Sequence, residues 1–268
     1  MSFSISGKTA IITGAANGIG LAIARHFADQ GANVMFADVD EARLRDEIGD
    51  QLDDSNVRYF AGDLREKLTL ANLLSATLDA FDRVDILINA SRQVCRSVPL
   101  KESDDAVEML LNQNLMTSLR LSQLVAKRMI SQASEQTNEA GTIGSIINLT
   151  SIASRRTHPD LMAYSISCAA LDQMTRSLAT ALAEDRIRVN GVAFGSVMSA
   201  SLQYVLKEQP EFRDSIIAST PLRRIASANE VAEAAQFLAS SASNFVTGQI
   251  MTVDGGRTLL DPVAAAAH

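Results

Sequence analysis

The chain has 268 residues, 47% of them hydrophobic and 21% charged, so it can bury a large core. Its 31 acidic and 24 basic residues leave a net charge of −7, which argues against polyanionic partners: no nucleic acid and no anionic membrane are expected. Two cysteines, Cys95 and Cys168, make no disulfide framework, and the opening Met-Ser-Phe-Ser-Ile-Ser-Gly has neither a charged start nor a long apolar run, so a cytoplasmic protein is expected.

Thr9–Thr13 is a short apolar run ending in a glycine-rich turn, as a buried parallel strand does. Residues 19–30 then carry Ile19, Ile23 and Phe27 at helical spacing, with Gly31 where a helix-ending glycine belongs. The pattern continues with a buried strand over 32–38, a charged amphipathic helix over 40–52, a strand over 57–61 and a helix over 67–81. Strand four covers 84–89, and a long helix runs from about 103 to 131. Residues 132–143 are polar and read as a loop longer than such connections usually are. Strand five follows at 145–149, a helix at 163–184 and strand six at 187–193. One or two short helices lie within 200–218, then a helix at 229–239 and a last strand at 249–253. The Ala-rich end, 261–268, is expected to be frayed or packed late. Strands alternate with helices throughout, without linker or repeat. That predicts one doubly wound α/β domain over 1–268, a central parallel sheet of about seven strands with helices on both faces. Ligands of such sheets bind in the crevice at the carboxyl ends of the strands.

The strongest local signal is Thr13-Gly14-Ala15-Ala16-Asn17-Gly18-Ile19-Gly20, between a strand and a helix. Gly14 permits the sharp turn, Gly18 lets the backbone approach a pyrophosphate, and Gly20 lets helix and strand pack closely. The helix N-terminus, with Asn17 and Ile19 at its start, then faces the phosphates with free N–H groups. Asp38 ends strand two, 24 residues after Gly14, where a carboxylate can accept from an adenine-ribose 2′-hydroxyl. With no Arg or Lys in the turn, the cofactor expected is NAD rather than NADP.

These features, together with others in the same order, resemble the classical short-chain dehydrogenase/reductase family over essentially the whole chain, a fold of Rossmann type. Asp63-Leu64 matches the family's adenine-contacting Asp, and Asn89, followed by Ala90, matches the first Asn of its Asn-Asn-Ala-Gly segment. Asn114 matches the Asn of its catalytic tetrad, and Ser151 and Tyr164, 13 apart, its catalytic Ser and Tyr. Val197 and Ser199 match its nicotinamide-side Val/Ile and Thr, and Val253-Asp254-Gly255-Gly256 its C-terminal signature. The resemblance implies NAD-dependent interconversion of a secondary alcohol and a ketone. Tyr164 would move the proton, Ser151 would hydrogen-bond the same oxygen, and Asn114 would hold a water relay. Gly14, Asn17, Gly18, Ile19, Gly20, Asp38, Asp63, Leu64, Asn89, Ala90 and Val197 would contact the cofactor. It also implies a homotetramer, paired through two long central helices and the C-terminal strand region. A substrate-covering segment is expected at about 197–220; its Met198, Leu202, Tyr204, Val205, Leu206 and Phe212 suggest an apolar alcohol or ketone. No metal is expected, because His26, His158 and His268 lack ligand spacing with either Cys. His26 is expected at the surface and His158 near the substrate mouth.

The family places a Lys four residues after its Tyr, where it lowers the tyrosine pKa and holds the nicotinamide ribose. Here that position is Cys168. A charge pair about 4 Å apart at an effective dielectric of ~20 is worth roughly 4 kcal/mol, or about three pKa units. Without it the tyrosine would sit near its ordinary value of about 10. Two further departures lie nearby: Asn89-Ala90-Ser91-Arg92 stands for Asn-Asn-Ala-Gly, and Phe194-Gly195 for Pro-Gly. The departures gather at the nicotinamide half of the site and leave the adenine half intact. They leave two functions open: a dehydrogenase or reductase with weakened turnover, and a dinucleotide-binding relative with a sensing or assembly role. Locally, Cys168 reads as a small buried hydrophobe on a helix and Arg92 as a solvated loop charge; the alternatives are that Arg92 swings its guanidinium into the vacated space or that Cys168 is itself a nucleophile.

Overall fold

A computed structural model of the chain describes residues 2–49, 56–101, 103–134 and 141–261. The first half runs β1 (Thr9–Thr13), α1 (Gly18–Asp29), β2 (Asn33–Asp38), α2 (Glu41–Ile48), β3 (Val57–Ala61), α3 (Lys67–Phe81) and β4 (Ile86–Asn89). The second runs α4 (Ala106–Leu110), α5 (Thr117–Ser134), β5 (Gly144–Ser151), α6 (Met162–Ala181), β6 (Ile187–Phe194), α7 (Ala200–Glu208), α8 (Glu211–Ala218), α9 (Ala228–Ala239) and β7 (Ile250–Val253). The seven strands form one parallel sheet in the order β3-β2-β1-β4-β5-β6-β7. The strand order reverses between β1 and β4, which opens a crevice at their carboxyl ends.

Both faces of the sheet are covered, so β1, β4, β5 and β6 are buried at every position. Alternate residues feed opposite layers. Ile12 and Ile88 pack with Ile23 and Phe27 of α1 and Val231 and Leu238 of α9. Ile11, Leu87 and Ile146 pack with Leu73 of α3 and Leu121 and Val125 of α5.

The expected long helix at 103–131 begins only at Ala106 and is interrupted by a π-helical turn, Leu111–Met116, before α5 carries it to Ser134. Residues 132–134, expected in a loop, therefore extend the helix; 135–140 lie outside the described residues, as do 50–52 of the expected second helix and 262–268 of the tail. Strand four starts at Ile86 rather than Val84, because the Val84 backbone is held by the Gln132 side chain, its N–H donating at 3.2 Å and its carbonyl accepting at 2.6 Å. The strands expected at 145–149 and 187–193 run on to Ser151 and Phe194, which sit side by side in register. Residues 200–218 split into α7 and α8 at Pro210, whose missing N–H stops a continuous helix. His26 is half-buried rather than a surface residue: its Nε2 lies 2.7 Å from Gln236 Oε1 and ties α1 to α9.

Candidate active site

A groove of about 530 Å³ opens at the carboxyl ends of β1, β2 and β4. Three glycines shape it for three different reasons. A Cβ on Gly14 would come within 2.9 Å of the Ala90 and Ser91 backbone, and one on Gly20 within 2.1 Å of the Gly14 carbonyl. Gly18 has φ +60 and nothing within 4 Å, so its bare backbone faces open groove. Asn17 caps α1 without a side-chain hydrogen bond, which leaves first-turn N–H groups to a ligand. The turn thus fits a pyrophosphate at a helix N-terminus.

At the other end Asp38 is held by backbone donors. Its Oδ2 accepts from Ala16 N–H at 3.1 Å, and its Oδ1 from Val39 N–H at 2.7 Å and Asp40 N–H at 3.1 Å. The carboxylate is thereby fixed at the groove wall with lone pairs left for a ribose diol. Asp63 lines the groove too, but its carboxylate is engaged by Arg65 Nε at 2.9 and 3.0 Å, and that pairing holds it below the usual carboxylate range. Asn17, Ile19, Leu64 and Ala90 also line the groove, whereas Asn89 and Val197 do not. Asn89 is buried beneath it, donating to Ser122 Oγ at 3.0 Å and Asn148 Oδ1 at 2.8 Å. Val197 is buried and bridges Ala226; Ser199 takes its place in the lining and caps α7.

The loop after β4 is pinned on both sides. Thr13 Oγ1 accepts from Ala90 and Ser91 N–H, each at 3.0 Å. Asn114, turned inward by the π turn, accepts from Gln93 N–H at 2.8 Å and donates to Gln93 O at 3.0 Å and to Ser167 Oγ at 3.2 Å. Between these anchors the Arg92 guanidinium donates to the Tyr164 hydroxyl and lies over the Phe194 ring, Cζ 4.2 Å from its centroid. Tyr164, on α6, is 4% exposed, and Ser151, at the end of β5, is 9% exposed. Burial pushes the Tyr164 phenol above its ordinary value; Arg92 opposes this, Cys168 adds to it, and a hydrogen bond with Ser151 opposes it.

Cys168 is buried below Tyr164, and only about 10 Å³ of void remains among Arg92, Asn114, Tyr164 and Cys168, at the lower limit for one water. Burial also pushes the Cys168 thiol up, which keeps it protonated and unlike an activated nucleophile. The segment 197–220 does not gather an apolar pocket. Tyr204 is 67% exposed and Phe212 41%, while Leu206 is buried in α7. His158 is exposed and accepts from Asp160 N–H at 3.2 Å, capping the turn at Pro159–Leu161. Thr13 and Phe194 are the contributors that sequence reasoning did not assign. Phe194 was visible as a departure from Pro-Gly, but its meeting with Arg92 depends on strand register. Among the described residues no helix is long and apolar enough to cross a membrane.

Comparison with known proteins places this geometry. A family model described as enoyl-(acyl carrier protein) reductase matches residues 14–258. 7α-Hydroxysteroid dehydrogenase of Escherichia coli (strain K12) is 34% identical over 257 residues, 94% of each chain. A solved 7α-hydroxysteroid dehydrogenase complexed with NADH and 7-oxo glycochenodeoxycholic acid superposes with a TM-score of 0.85 at 32% identity, over 95% of this chain and 96% of that one. A gluconate 5-dehydrogenase from Burkholderia cenocepacia in complex with NADP and tartrate gives 0.84 at 29% identity, over 97% and 98%.

Proposed function

The chain belongs to the classical short-chain dehydrogenase/reductase family and is an oxidoreductase; from that premise we propose that it interconverts a secondary alcohol and a ketone with NAD. The observation that carries the reading is one continuous groove. It starts at the fixed carboxylate of Asp38, passes the bare turn at Gly18 and ends at Arg92, whose guanidinium touches Tyr164. A dinucleotide held there supplies the hydride acceptor or donor.

In the oxidation direction the Tyr164 oxygen takes the hydroxyl proton of the alcohol while the hydride leaves the carbon bearing that hydroxyl for the dinucleotide that would lie in the groove, so the alcohol is oxidised by two electrons. Ser151 hydrogen-bonds that oxygen and fixes its approach to Tyr164. Asn114 keeps the loop carrying Arg92 in place. Asp38 selects the unphosphorylated ribose. The substrate is a small alcohol or ketone, and the assembly is a homotetramer. The test is calorimetric binding of NAD followed by turnover of a panel of secondary alcohols and ketones, wild type against Tyr164→Phe and Ser151→Ala. Reduced nicotinamide should form with wild type and fall at least about 100-fold in both variants.

One observation favours a second reading, binding without turnover: Tyr164 is buried behind Arg92 and its phenol is pushed up. Tight NAD binding with no turnover across the panel, in either direction and up to alkaline pH, would select it.

A further inference from the structure

We propose that Arg92 is the cation of this reaction centre, delivered from the β4 loop instead of from α6, with Phe194 as the positioning residue that carries it and Cys168 as the small residue that makes room. The inference rests on the proton role given to Tyr164 above.

Three observations converge on it. The guanidinium donates to the Tyr164 hydroxyl. It lies over Phe194, Cζ 4.2 Å from the ring centroid, a cation–π contact that holds the guanidinium at this spot. And the space beside Cys168 is filled: about 10 Å³ remains where a side chain as long as lysine would need far more. The three positions are distant in the chain but share one spot, because Phe194 pairs in register with Ser151 at the ends of β6 and β5. The loop cannot drift, since Thr13 holds Ala90 and Ser91 and Asn114 holds Gln93. Among the described residues no carboxylate pairs with Arg92, so its charge is available to the phenolate.

Among the described residues no other cation is placed against Tyr164. Ser151 faces Tyr164 from β5, Cys168 from its own helix, and α4 presents Ala106 and Leu110. Cys95, from the same loop as Arg92, packs at the edge of this cluster as a thiol that burial pushes up. Asp172, one turn beyond Cys168, acts on the thiol in the direction that keeps it protonated. An Arg stays charged at every working pH, so the field on Tyr164 does not titrate away as a lysine's would at high pH.

The chain has three tyrosines, Tyr59, Tyr164 and Tyr204, and no tryptophan, so the full-length protein labelled with ring-13C tyrosine gives three assignable titrations, with Tyr164→Phe identifying one. No cofactor or substrate is added. Arg92→Met, which keeps apolar bulk on Phe194 and drops the charge, should raise the Tyr164 midpoint, read as a loss of at least about tenfold in the phenolate fraction at pH 10. Arg92→Ala/Cys168→Lys, in which the truncation at 92 vacates the space the lysine needs, should bring it back down relative to Arg92→Ala alone, since a lysine four residues along the helix faces Tyr164 without competing with a second cation. Steady-state kcat for alcohol oxidation should follow the same order: at least about tenfold down in the single variants at pH 7 and largely recovered in the double. A packing role alone would not be rescued by lysine at a different position. A midpoint that ignores Arg92→Met, or a double variant no different from Arg92→Ala, overturns the proposal. Arg92→Lys, which keeps a charge on the same loop, serves if Arg92→Met fails to fold. An Arg92-dependent midpoint in a chain without turnover would sink the functional reading and, with it, the catalytic part of this one, leaving only the electrostatic hold of Arg92 on Tyr164. Turnover with a midpoint and pH profile indifferent to Arg92 would overturn this inference and leave the functional reading standing.

Discussion

At the scale of single residues, what the sequence revealed depends on distance along the chain. Gly14, Gly18, Gly20 and Asp38 act through a turn and a strand end a few residues away, and each was legible as a position in a local motif. Asp38 carries a direct prediction. Its carboxylate is fixed at the groove wall by three backbone N–H groups, so it cannot swing away from a 2′-phosphate. Repulsion at about 4 to 6 Å is worth roughly 2–4 kcal/mol, which makes NAD bind about 30- to 1000-fold more tightly than NADP. Titration calorimetry with both oxidised cofactors checks this, and Asp38→Ser should shrink the ratio toward one; equal affinities in the wild type would remove Asp38 from the specificity role. Tyr164 carries another. Burial is the largest influence on its phenol and raises it, so the basic form needed for alcohol oxidation accumulates only on the alkaline side. Oxidation kcat should therefore climb between pH 7 and 10, while ketone reduction, which needs the protonated form, should hold steady through neutrality and fall at the alkaline end. An oxidation plateau already reached at pH 7 would show that the bound complex lowers Tyr164 far more than Arg92 does alone. Arg92 and Phe194 were legible only as departures: they stand 102 positions apart, and nothing in the string says that a loop and a strand end converge.

At the scale of elements, alternation fixed the order and kind of every strand, because buried parallel strands need apolar runs and their crossovers need helices. The π turn at Leu111–Met116 escaped notice, since one extra residue in a long apolar helix leaves the overall periodicity almost unchanged. Its consequence is local and large. It turns Asn114 inward, where the side chain spends its amide on both Gln93 backbone groups and on Ser167 rather than on a free water. Asn114→Ala would strip these bonds from a buried position, for a loss of about 2 kcal/mol of unfolding free energy. Urea denaturation measures that loss. The same variant should lower kcat more than it weakens NAD binding, because the groove floor at Gly14–Gly20 is built by other elements while the loop carrying Arg92 loses its second anchor. If stability falls as expected but kcat is untouched, Asn114 braces the fold and has no part in holding the reaction centre.

For the whole molecule, the reversal of strand order between β1 and β4 places the Asp38 end of the groove over one side of the sheet and the Ser151–Tyr164 pair over the other. One of the surfaces that a single chain leaves uncovered lies at the far edge. β7 is the edge strand, half-buried at every position, and beyond it Phe245 is fully exposed and Leu259 is 86% exposed. An edge strand with flanking aromatic and aliphatic side chains in solvent is a surface that a neighbouring subunit would cover in the proposed tetramer. This is the C-terminal strand region through which the resemblance implies pairing, while Ile166 on α6, 41% exposed, marks the other implied contact. The expected assembly is a homotetramer with two kinds of two-fold contact, one across the long helices and one across the β7 edge. Phe245→Glu should break only the second, leaving dimers. Size-exclusion chromatography with light scattering should then read four chain masses for the wild type and two for the variant, with far-UV circular dichroism unchanged. Phe245 lies beside Gly141, Arg186 and Ile187 at the amino-terminal ends of β5 and β6, opposite the carboxyl ends that carry Ser151 and Phe194, so the variant dimer should keep its affinity for NAD. A wild type that elutes as a monomer overturns the assembly, and a variant that stays tetrameric moves the second contact away from Phe245.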